Sequence, residues 1–247
     1  MIETAIISDI HGNLEALRAV LSDISDRGIR IIYCLGDIVG YGPNPNECCD
    51  LVQKSCLNSV AGNHDWAACG KISCEEMNPY AAAAINWTSK ALSSESIKFL
   101  DKLRIRIDID NTTYCHGSPS MPEEFDYIET QWKANANFNY FKQICFIGHT
   151  HKPKAYELKL NCKDNDNEHL APIEAPYNIE IKNDSKYIAN VGSTGQPRDG
   201  NPQACYTIAS DKRLFNVRVD YPVKITQGKM ENENLPQILI DRLSVGR

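Results

Sequence analysis

Short apolar runs alternate with stretches of helical periodicity from the N-terminus to about residue 150. Residues 5–7 and the nearly continuous apolar run 29–35 predict buried strands. Residues 13–25 lie between them and repeat leucine and isoleucine at three- and four-residue steps, which predicts an amphipathic helix. A strand, a helix and a second strand predict a parallel pair joined by a right-handed crossover. The runs 59–61, 112–115 and 144–147 predict three further strands.

Further helices and a strand-rich last third complete the predicted fold. The helices are predicted over residues 47–54, 80–92, 94–103 and 129–141, with a short one near the C-terminus from about residue 234. The later strands are predicted at 155–160 and 177–181, which alternate like an antiparallel pair, and at 187–191, 204–209 and 214–219. The polar residues 163–168 predict an exposed loop. We expect one α/β domain over residues 1–247, with two packed mixed β-sheets flanked by helices.

Five of the predicted strands end in polar motifs that together contain five of the six histidines. In chain order the motifs are Asp9-Ile10-His11, Gly36-Asp37, Gly62-Asn63-His64-Asp65, His116-Gly117 and Gly148-His149-Thr150-His151. Asp9 and His11 are two residues apart at a strand end, so strand alternation predicts that they point the same way. A carboxylate and imidazoles at one edge of a sheet predict a transition-metal site. Nitrogen and oxygen donors without cysteine favour manganese, iron, zinc or cobalt over magnesium or calcium.

Charge and composition exclude several other functions. The formal net charge is −6 and the sequence has no long basic run, so binding to a nucleic-acid polymer or an anionic membrane is not expected. No apolar stretch reaches the length of a membrane span, and no basic leader precedes the first strand. We therefore expect a cytoplasmic location. The ten cysteines include no C-x-x-C pair, and we expect them to be reduced and mostly structural.

The order of these motifs resembles that of the calcineurin-like metallophosphoesterases, in particular the bacterial and archaeal single-domain branch. The resemblance includes residues 36–43, 148–153 and 192–199 and extends from the first strand to about Asp199. Residues 120–142 and 154–186 match the family poorly. The resemblance implies a four-layer α-β-β-α sandwich that holds two divalent or trivalent transition-metal ions.

The resemblance also implies a role for each motif residue. Asp9, His11 and His151 would bind one ion, and Asn63, His116 and His149 the other, with Asp37 as the bridge. Only Asp9 and Asp37 among these ligands are anionic, so the centre would stay positive and attract a phosphate despite the acidic chain. A hydroxide held by the ions would attack phosphorus. His64 would contact the phosphate and protonate the leaving group.

Three further residues have two interpretations each. Asp65 either orients the imidazole of His64 or caps the segment that follows it. Arg198 either clamps phosphate oxygens or forms a salt bridge with an acid such as Asp199. Tyr41 either stacks on a nucleobase or packs within its glycine-rich loop.

The predicted function is hydrolysis of phosphomonoesters or phosphodiesters of a small metabolite, such as a nucleotide. Two alternatives remain, namely a serine/threonine-type protein phosphatase and a non-catalytic scaffold with the same fold. The presence of His64 and of every implied ligand favours the enzyme over the scaffold. The sequence leaves monoester or diester preference, the native metal and the oligomeric state open.

Overall fold

Two six-stranded sheets organise this computed structural model, which describes residues 3–75, 77–160 and 170–247. The first sheet contains β1 (Thr4–Ile7), β2 (Ile31–Cys34), β3 (Asn58–Ser59), β9 (Asn178–Glu180), β11 (Ala204–Ala209) and β12 (Arg213–Val219). Its strand order is β3-β2-β1-β11-β12-β9. β1 and β2 are parallel, as the strand-helix-strand pattern predicted, and β3 continues the parallel half.

The second sheet has the order β4-β5-β6-β10-β7-β8. Its strands are β4 (Arg106–Ile109), β5 (Thr112–Cys115), β6 (Ile144–Ile147), β7 (Lys154–Lys159), β8 (Leu170–Glu174) and β10 (Ser185–Asn190). β5, β6 and β10 are parallel neighbours, while β7 and β8 extend the sheet in antiparallel fashion. The carboxyl ends of the parallel strands in both sheets carry the polar motifs found in the sequence.

The predicted antiparallel pair of residues 155–160 and 177–181 is wrong. β7 pairs with β8 and β10, whereas β9 lies in the other sheet beside β12. Alternation of apolar and polar residues shows which face of a strand is buried, but it does not show the partner strand. β4 and β8 were not predicted, and the predicted loop over residues 163–168 lies outside the described residues.

Eight α-helices are present in the described part of the chain. They are α1 (Leu14–Asp26), α2 (Pro45–Ser55), α3 (Asn63–Ala68), α4 (Pro79–Ala91), α5 (Ser94–Asp101), α6 (Gln131–Asn137), α7 (Val223–Asn232) and α8 (Gln237–Asp241). α2 begins two residues earlier than predicted because Pro45 occupies its first turn, where the missing N–H costs no helical hydrogen bond. α3 and α7 were missed because neither has a clear apolar stripe in the sequence.

The two sheets pack face to face. Tyr33 of β2 stacks on Tyr114 of β5 with ring centroids 4.4 Å apart, and Phe146 and Tyr187 join the same cluster. Leu17 and its neighbours on α1 cover the outer face of the first sheet, and Phe138, directly after α6, packs on the outer face of the second. The predicted four-layer order of helices, two sheets and helices is therefore confirmed.

No disulfide joins the cysteines of the described residues. The nine cysteines within the described residues carry free thiols, and the sulfur atoms of Cys115 and Cys145 lie 3.9 Å apart in a thiol hydrogen bond, not a disulfide. Among the described helices, none combines the length and the apolar character needed to cross a bilayer.

Candidate metal centre

Side chains from both sheets meet at the carboxyl ends of the parallel strands. Oδ2 of Asp37, which follows β2, lies 3.2 Å from Nε2 of His116, which follows β5. The same carboxylate oxygen lies 3.6 Å from Nε2 of His11, and Oδ1 of Asp9 lies 3.4 Å from Nε2 of His151. These side chains are almost fully buried. The structure therefore brings together residues that are separated by up to about 140 positions in the sequence.

The nitrogen and oxygen atoms form two groups that share one residue. Asp9, His11, Asp37 and His151 make the first group, and Asp37, His116 and His149 make the second. Within each group the atoms that could bind a metal lie within 4.8 Å of one another. Six of the seven predicted ligands, Asp37 included, thus belong to these groups, and their division between the groups is the one implied by the family resemblance. The seventh, Asn63, is in neither group.

Left-handed backbone turns orient these side chains. β1 ends at Ile7, and Asp9 and His11 follow it with φ angles of 52° and 50°. Asp37, His149 and His151 have positive φ as well, although residues other than glycine rarely adopt this conformation. The side chains of Asp9 and His11 do converge, but the expectation that strand alternation aims them is wrong. Positive φ at several neighbouring residues other than glycine is typical of functional sites.

Two glycines allow the loops to approach closely enough. A Cβ atom at Gly62 would collide with the carboxylate of Asp37, and a Cβ at Gly148 would collide with Asp9 and with the hydroxyl of Ser8. Any larger residue at either position would displace a carboxylate. The glycines that precede Asn63 and His149 in the sequence motifs are therefore part of the construction of the site.

Hydrogen bonds to backbone carbonyls determine the tautomers of His11 and His151. Nδ1 of His11 donates to the carbonyl of Val39 at 3.2 Å, and Nδ1 of His151 donates to the carbonyl of Gln196 at 2.6 Å. In the neutral rings the Nε2 atoms then carry lone pairs, and these two atoms face each other at 3.0 Å. Burial lowers the pKa of both rings well below the ordinary value, which keeps them neutral. Two facing lone pairs fit a cation that both nitrogens bind.

His116 and His149 form the corresponding pair in the second group. Nδ1 of His116 donates to the carbonyl of Leu35 at 2.8 Å, and its Nε2 lies 3.1 Å from Nδ1 of His149. Burial opposes a charge on His116, but the carboxylates of Asp37 and Asp9 outweigh it and raise the pKa of His116 to about 10. The pocket therefore favours positive charge at this point.

Asn63 begins helix α3 next to this group. Its Oδ1 atom is buried and has no hydrogen-bond partner among the residues that the structure describes. Buried amide oxygens are nearly always satisfied, so an unsatisfied one beside a cluster of imidazoles and carboxylates is what a metal ligand shows before the ion is added. The donor set of nitrogen and oxygen atoms thus fits metal ions of the transition series.

The carboxylate of Asp65 binds backbone N–H groups and makes no hydrogen bond to the ring of His64 within the described residues. Its Oδ1 accepts hydrogen bonds from the N–H groups of Ile38 and Val39 at 2.9 and 3.2 Å, and its Oδ2 accepts one from Gly62 at 2.9 Å. Nδ1 of His64 is buried and has no partner among the described residues. The expected contact that would orient the imidazole is therefore not seen, and Asp65 has the capping role.

His64 lies beside the first group of ligands. Its ring contacts that of His11 edge-on, with centroids 4.8 Å apart, and its backbone N–H donates to Oδ1 of Asp37 at 2.9 Å. Burial lowers the pKa of His64 to about 4, and the nearby cation of Arg198 acts in the same direction. A bound phosphate anion would act in the opposite direction and favour the protonated ring.

Tyr41 packs against two histidines of the site, and Arg198 lies over Tyr41. Tyr41 is 5% exposed and packs on His11 and His64 with centroid distances of 4.6 and 4.5 Å. The predicted stacking of Tyr41 on a nucleobase does not fit this position, because its ring is covered. The guanidinium of Arg198 lies over the ring of Tyr41 at 5.6 Å.

The salt bridge considered for Arg198 is absent among the described residues. Asp199 pairs instead with Arg218. Nε and Nη2 of Arg198 donate to Oε1 of Gln196 at 3.2 and 2.8 Å, so a neutral amide holds the guanidinium near the histidines. Its charge stays available for an anion.

Tyr127 is a site residue that the sequence analysis missed. Its ring stacks on that of His149 with centroids 3.9 Å apart and planes at 16°. It is 43% exposed, unlike the ligands beneath it. It lies in the segment 120–142, which matched the family poorly, so only its position after the His116 motif could have drawn attention to it.

Comparison with known proteins identifies the family. The calcineurin-like phosphoesterase superfamily domain matches residues 2–213 of this chain. The chain belongs to this superfamily. The sequence resemblance to the metallophosphoesterases is therefore confirmed.

Similar proteins extend over nearly the whole chain. An uncharacterized protein of Methanocaldococcus jannaschii is 41% identical over 249 residues, with 98% of each chain covered. A metallophosphoesterase from Sphaerobacter thermophilus is 40% identical, with 99% of each chain covered and a TM-score of 0.85. A hypothetical protein from Pyrococcus horikoshii OT3 has the same fold at 20% identity, with a TM-score of 0.77 over 100% of this chain and 99% of its own.

Proposed function

We propose that this calcineurin-like phosphoesterase is a dinuclear metal enzyme that hydrolyses phosphomonoesters or phosphodiesters of a small metabolite. One observation carries the proposal. Two groups of buried ligand atoms share Asp37, and a carboxylate has two oxygens with which to bridge two cations. Asp9, His11 and His151 would complete one ion's ligand set, and Asn63, His116 and His149 the other's.

The division of charge among the ligands suits an anionic substrate. Two carboxylates, one amide and four imidazoles cannot neutralise two divalent ions, so the loaded centre attracts a phosphate. The ions would acidify a water molecule and withdraw charge from the phosphoryl oxygens. Arg198 would add a cation on the same side, held in place by Gln196.

His64 is the proposed proton donor for the leaving oxygen. It contacts the ring of His11 in the first group, and its Nδ1 has no competing partner within the described chain. A phosphate bound to the ions would stabilise the protonated imidazole, which then gives its proton to the departing alkoxide. Asp65 acts only by holding the loops that carry Asp37 and His64.

A small substrate suits the depth of the site better than a phosphorylated protein. Every predicted histidine ligand is at most 6% exposed, and the ring of Tyr127 stacks on that of His149. A protein phosphatase must admit a side chain attached to a folded or extended backbone. We propose manganese, iron, zinc or cobalt as the ions and the cytoplasm as the location, which agrees with the free thiols of the described cysteines.

The decisive experiment combines metal analysis with turnover. Protein purified without chelators is analysed for metals, then loaded with manganese, iron, zinc or cobalt and assayed on p-nitrophenyl phosphate, bis-p-nitrophenyl phosphate and a phosphopeptide. We expect about two ions per chain and turnover of a nitrophenyl ester above that of the phosphopeptide. Absence of turnover with every metal would favour the scaffold, and preference for the phosphopeptide would favour the protein phosphatase.

A further inference from the structure

Two arginines from distant parts of the chain converge on one amide oxygen beside the metal centre. Oε1 of Gln196 accepts hydrogen bonds from Nη2 of Arg198 at 2.8 Å and from Nη1 of Arg242 at 3.3 Å. Gln196 is 1% exposed, and its backbone carbonyl also receives the Nδ1 hydrogen bond of His151. The same residue therefore positions one ligand of the centre and two guanidinium groups.

Neither guanidinium is neutralised. Within residues 3–75, 77–160 and 170–247, no carboxylate lies within salt-bridge distance of Arg198 or Arg242, whereas Arg218 close by is paired with Asp199. Nε of Arg242 is buried and makes no hydrogen bond to the described part of the protein. Burial and the charge of Arg198 lower the pKa of Arg242. Two guanidinium charges that share one neutral acceptor repel each other, and an anion bound between them would offset this repulsion.

The C-terminal segment holds Arg242 in this position. Residues 242–244 form a short 3₁₀ helix after α8, in which Leu243 packs in the same apolar cluster as Tyr41. The N–H of Gly200 donates to the carbonyl of Gly246 at 2.8 Å, which ties this segment to the loop that carries Arg198. The placement of Arg242 is thus set by packing and by a backbone contact, in addition to the bond to Gln196.

We propose that Arg198 and Arg242 form a paired guanidinium site for a second phosphoryl group, so that the preferred ligand carries two adjacent phosphoryl groups. This inference rests on the proposed function, because the first phosphoryl group is the one at the metal ions. Arg198 lies between the histidines and Arg242 and contacts both phosphoryl groups. Arg242 contacts only the outer one, with two N–H donors in the planar fork that matches phosphate oxygens.

The test is a titration that does not require turnover. Manganese-loaded wild-type protein is titrated calorimetrically with inorganic phosphate, inorganic diphosphate and ADP. The same titrations are made with Arg242→Gln, with Arg242→Lys, and with Arg30→Gln as a matched control, since Arg30 is exposed before the start of β2 at the opposite end of that strand. Thermal unfolding of each protein checks that it is folded.

We expect the ratio of diphosphate to phosphate affinity to fall about 10- to 100-fold in Arg242→Gln, because a charge-assisted hydrogen bond is lost. Arg242→Lys retains the charge but not the fork, so a smaller fall is expected, and it carries the test if the glutamine variant does not fold. Arg30→Gln should leave the ratio unchanged. A parallel loss with ADP identifies an esterified diphosphate as the ligand, and a loss with inorganic diphosphate alone identifies the free anion.

An unchanged ratio in both Arg242 variants would overturn the proposal. So would an equal loss of phosphate and diphosphate affinity, which would make Arg242 a support for Arg198 and Gln196. Failure of the proposed function has a different signature, because the wild-type protein would then show no hydrolysis of any phosphoester in the turnover assay whatever the titrations show.

Discussion

Oδ2 of Asp37 and Nε2 of His116 lie 3.2 Å apart although their strands belong to different sheets. Asp37 follows β2 in the first sheet, and His116 follows β5 in the second. Tyr33 and Tyr114 of these strands stack on each other and hold the two strand ends side by side. The two groups of candidate ligands therefore lie where the ends of the two sheets meet.

Replacement of Asp37 by asparagine should remove both metal binding and turnover. The amide keeps the shape of the side chain but cannot bridge two cations as an anion. We expect the loss in turnover to exceed about 100-fold, because even partners of metal ligands cost 10- to 100-fold. Metal content by mass spectrometry and turnover of nitrophenyl esters measure it. Asp50→Asn, on the exposed face of α2, is the control. Full activity with Asp37→Asn would contradict the bridge.

Removal of the metal should lower thermal stability. Ions that bind only the folded chain stabilise it by about 2.7 kcal/mol at a hundred times the dissociation constant. For a chain of this size that corresponds to a shift in Tm of roughly 5–10 °C. Differential scanning calorimetry before and after dialysis against a chelator measures the shift, and re-addition of manganese should reverse it. Identical Tm values in the two states would argue against a metal at this site.

His64→Gln should retain the metals and lose turnover. The side chain lies beside the ligands but is outside both ligand groups. Loss of a proton donor typically costs about 10²–10⁴-fold. The loss should be larger for an alkyl phosphate than for a nitrophenyl ester, because nitrophenolate leaves without a proton. Equal losses on the two esters would assign His64 to phosphate binding alone.

Asp65→Ala should destabilise the fold, because three buried N–H groups lose their acceptor. The loss in the free energy of unfolding should be about 3–5 kcal/mol, since each unsatisfied buried donor costs roughly 1–3 kcal/mol and the loop relaxes in part. Urea denaturation of the metal-free protein measures it independently of catalysis. Asp50→Ala, in an exposed pair with Lys54, should change the stability by less than about 0.5 kcal/mol. A similar small effect at Asp65 would contradict the capping role.

Tyr127→Leu should lower the affinity for the metal, whereas Tyr127→Phe should retain it. The aromatic ring stacks on His149 and fixes its orientation, and phenylalanine offers the same ring without the hydroxyl. A loss of about threefold to tenfold in metal affinity follows from a stacking contact worth about 0.5–1.5 kcal/mol. Isothermal titration with manganese measures it, with the exposed Tyr80→Leu at the start of α4 as control. Loss in the phenylalanine variant as well would shift the role to the hydroxyl.

The sequence alone was sufficient to predict the features that depend on the order of neighbouring residues. Apolar runs followed at once by Asp, Asn or His located the strand ends, because the carboxyl ends of parallel strands meet at one edge of a sheet. The motif order also led to the family. Leucine and isoleucine at helical spacing located α1, and this prediction agrees with its observed bounds to within one residue.

Predictions from neighbouring residues were wrong where a strand partner or a hydrogen-bond partner lies far away in the chain. The alternation in β7 and β9 described a buried face for each but could not show that they belong to different sheets. The same reason explains Asp65. Its sequence neighbour is His64, yet its acceptor atoms face the N–H groups of Ile38 and Val39. Only the packing of α3 against the loop that follows β2 brings these groups together.

The sequence by itself determined the candidate donor set, since five short motifs contain the kinds and the order of the proposed ligand residues. Tertiary structure alone decided how that set is aimed and what surrounds it. It turned Asp9 and His11 by left-handed turns, covered Tyr41, placed Tyr127 on His149, and brought Arg242 beside Arg198. The physical reason is that residue type fixes which atoms can bind, whereas long-range packing fixes where those atoms are.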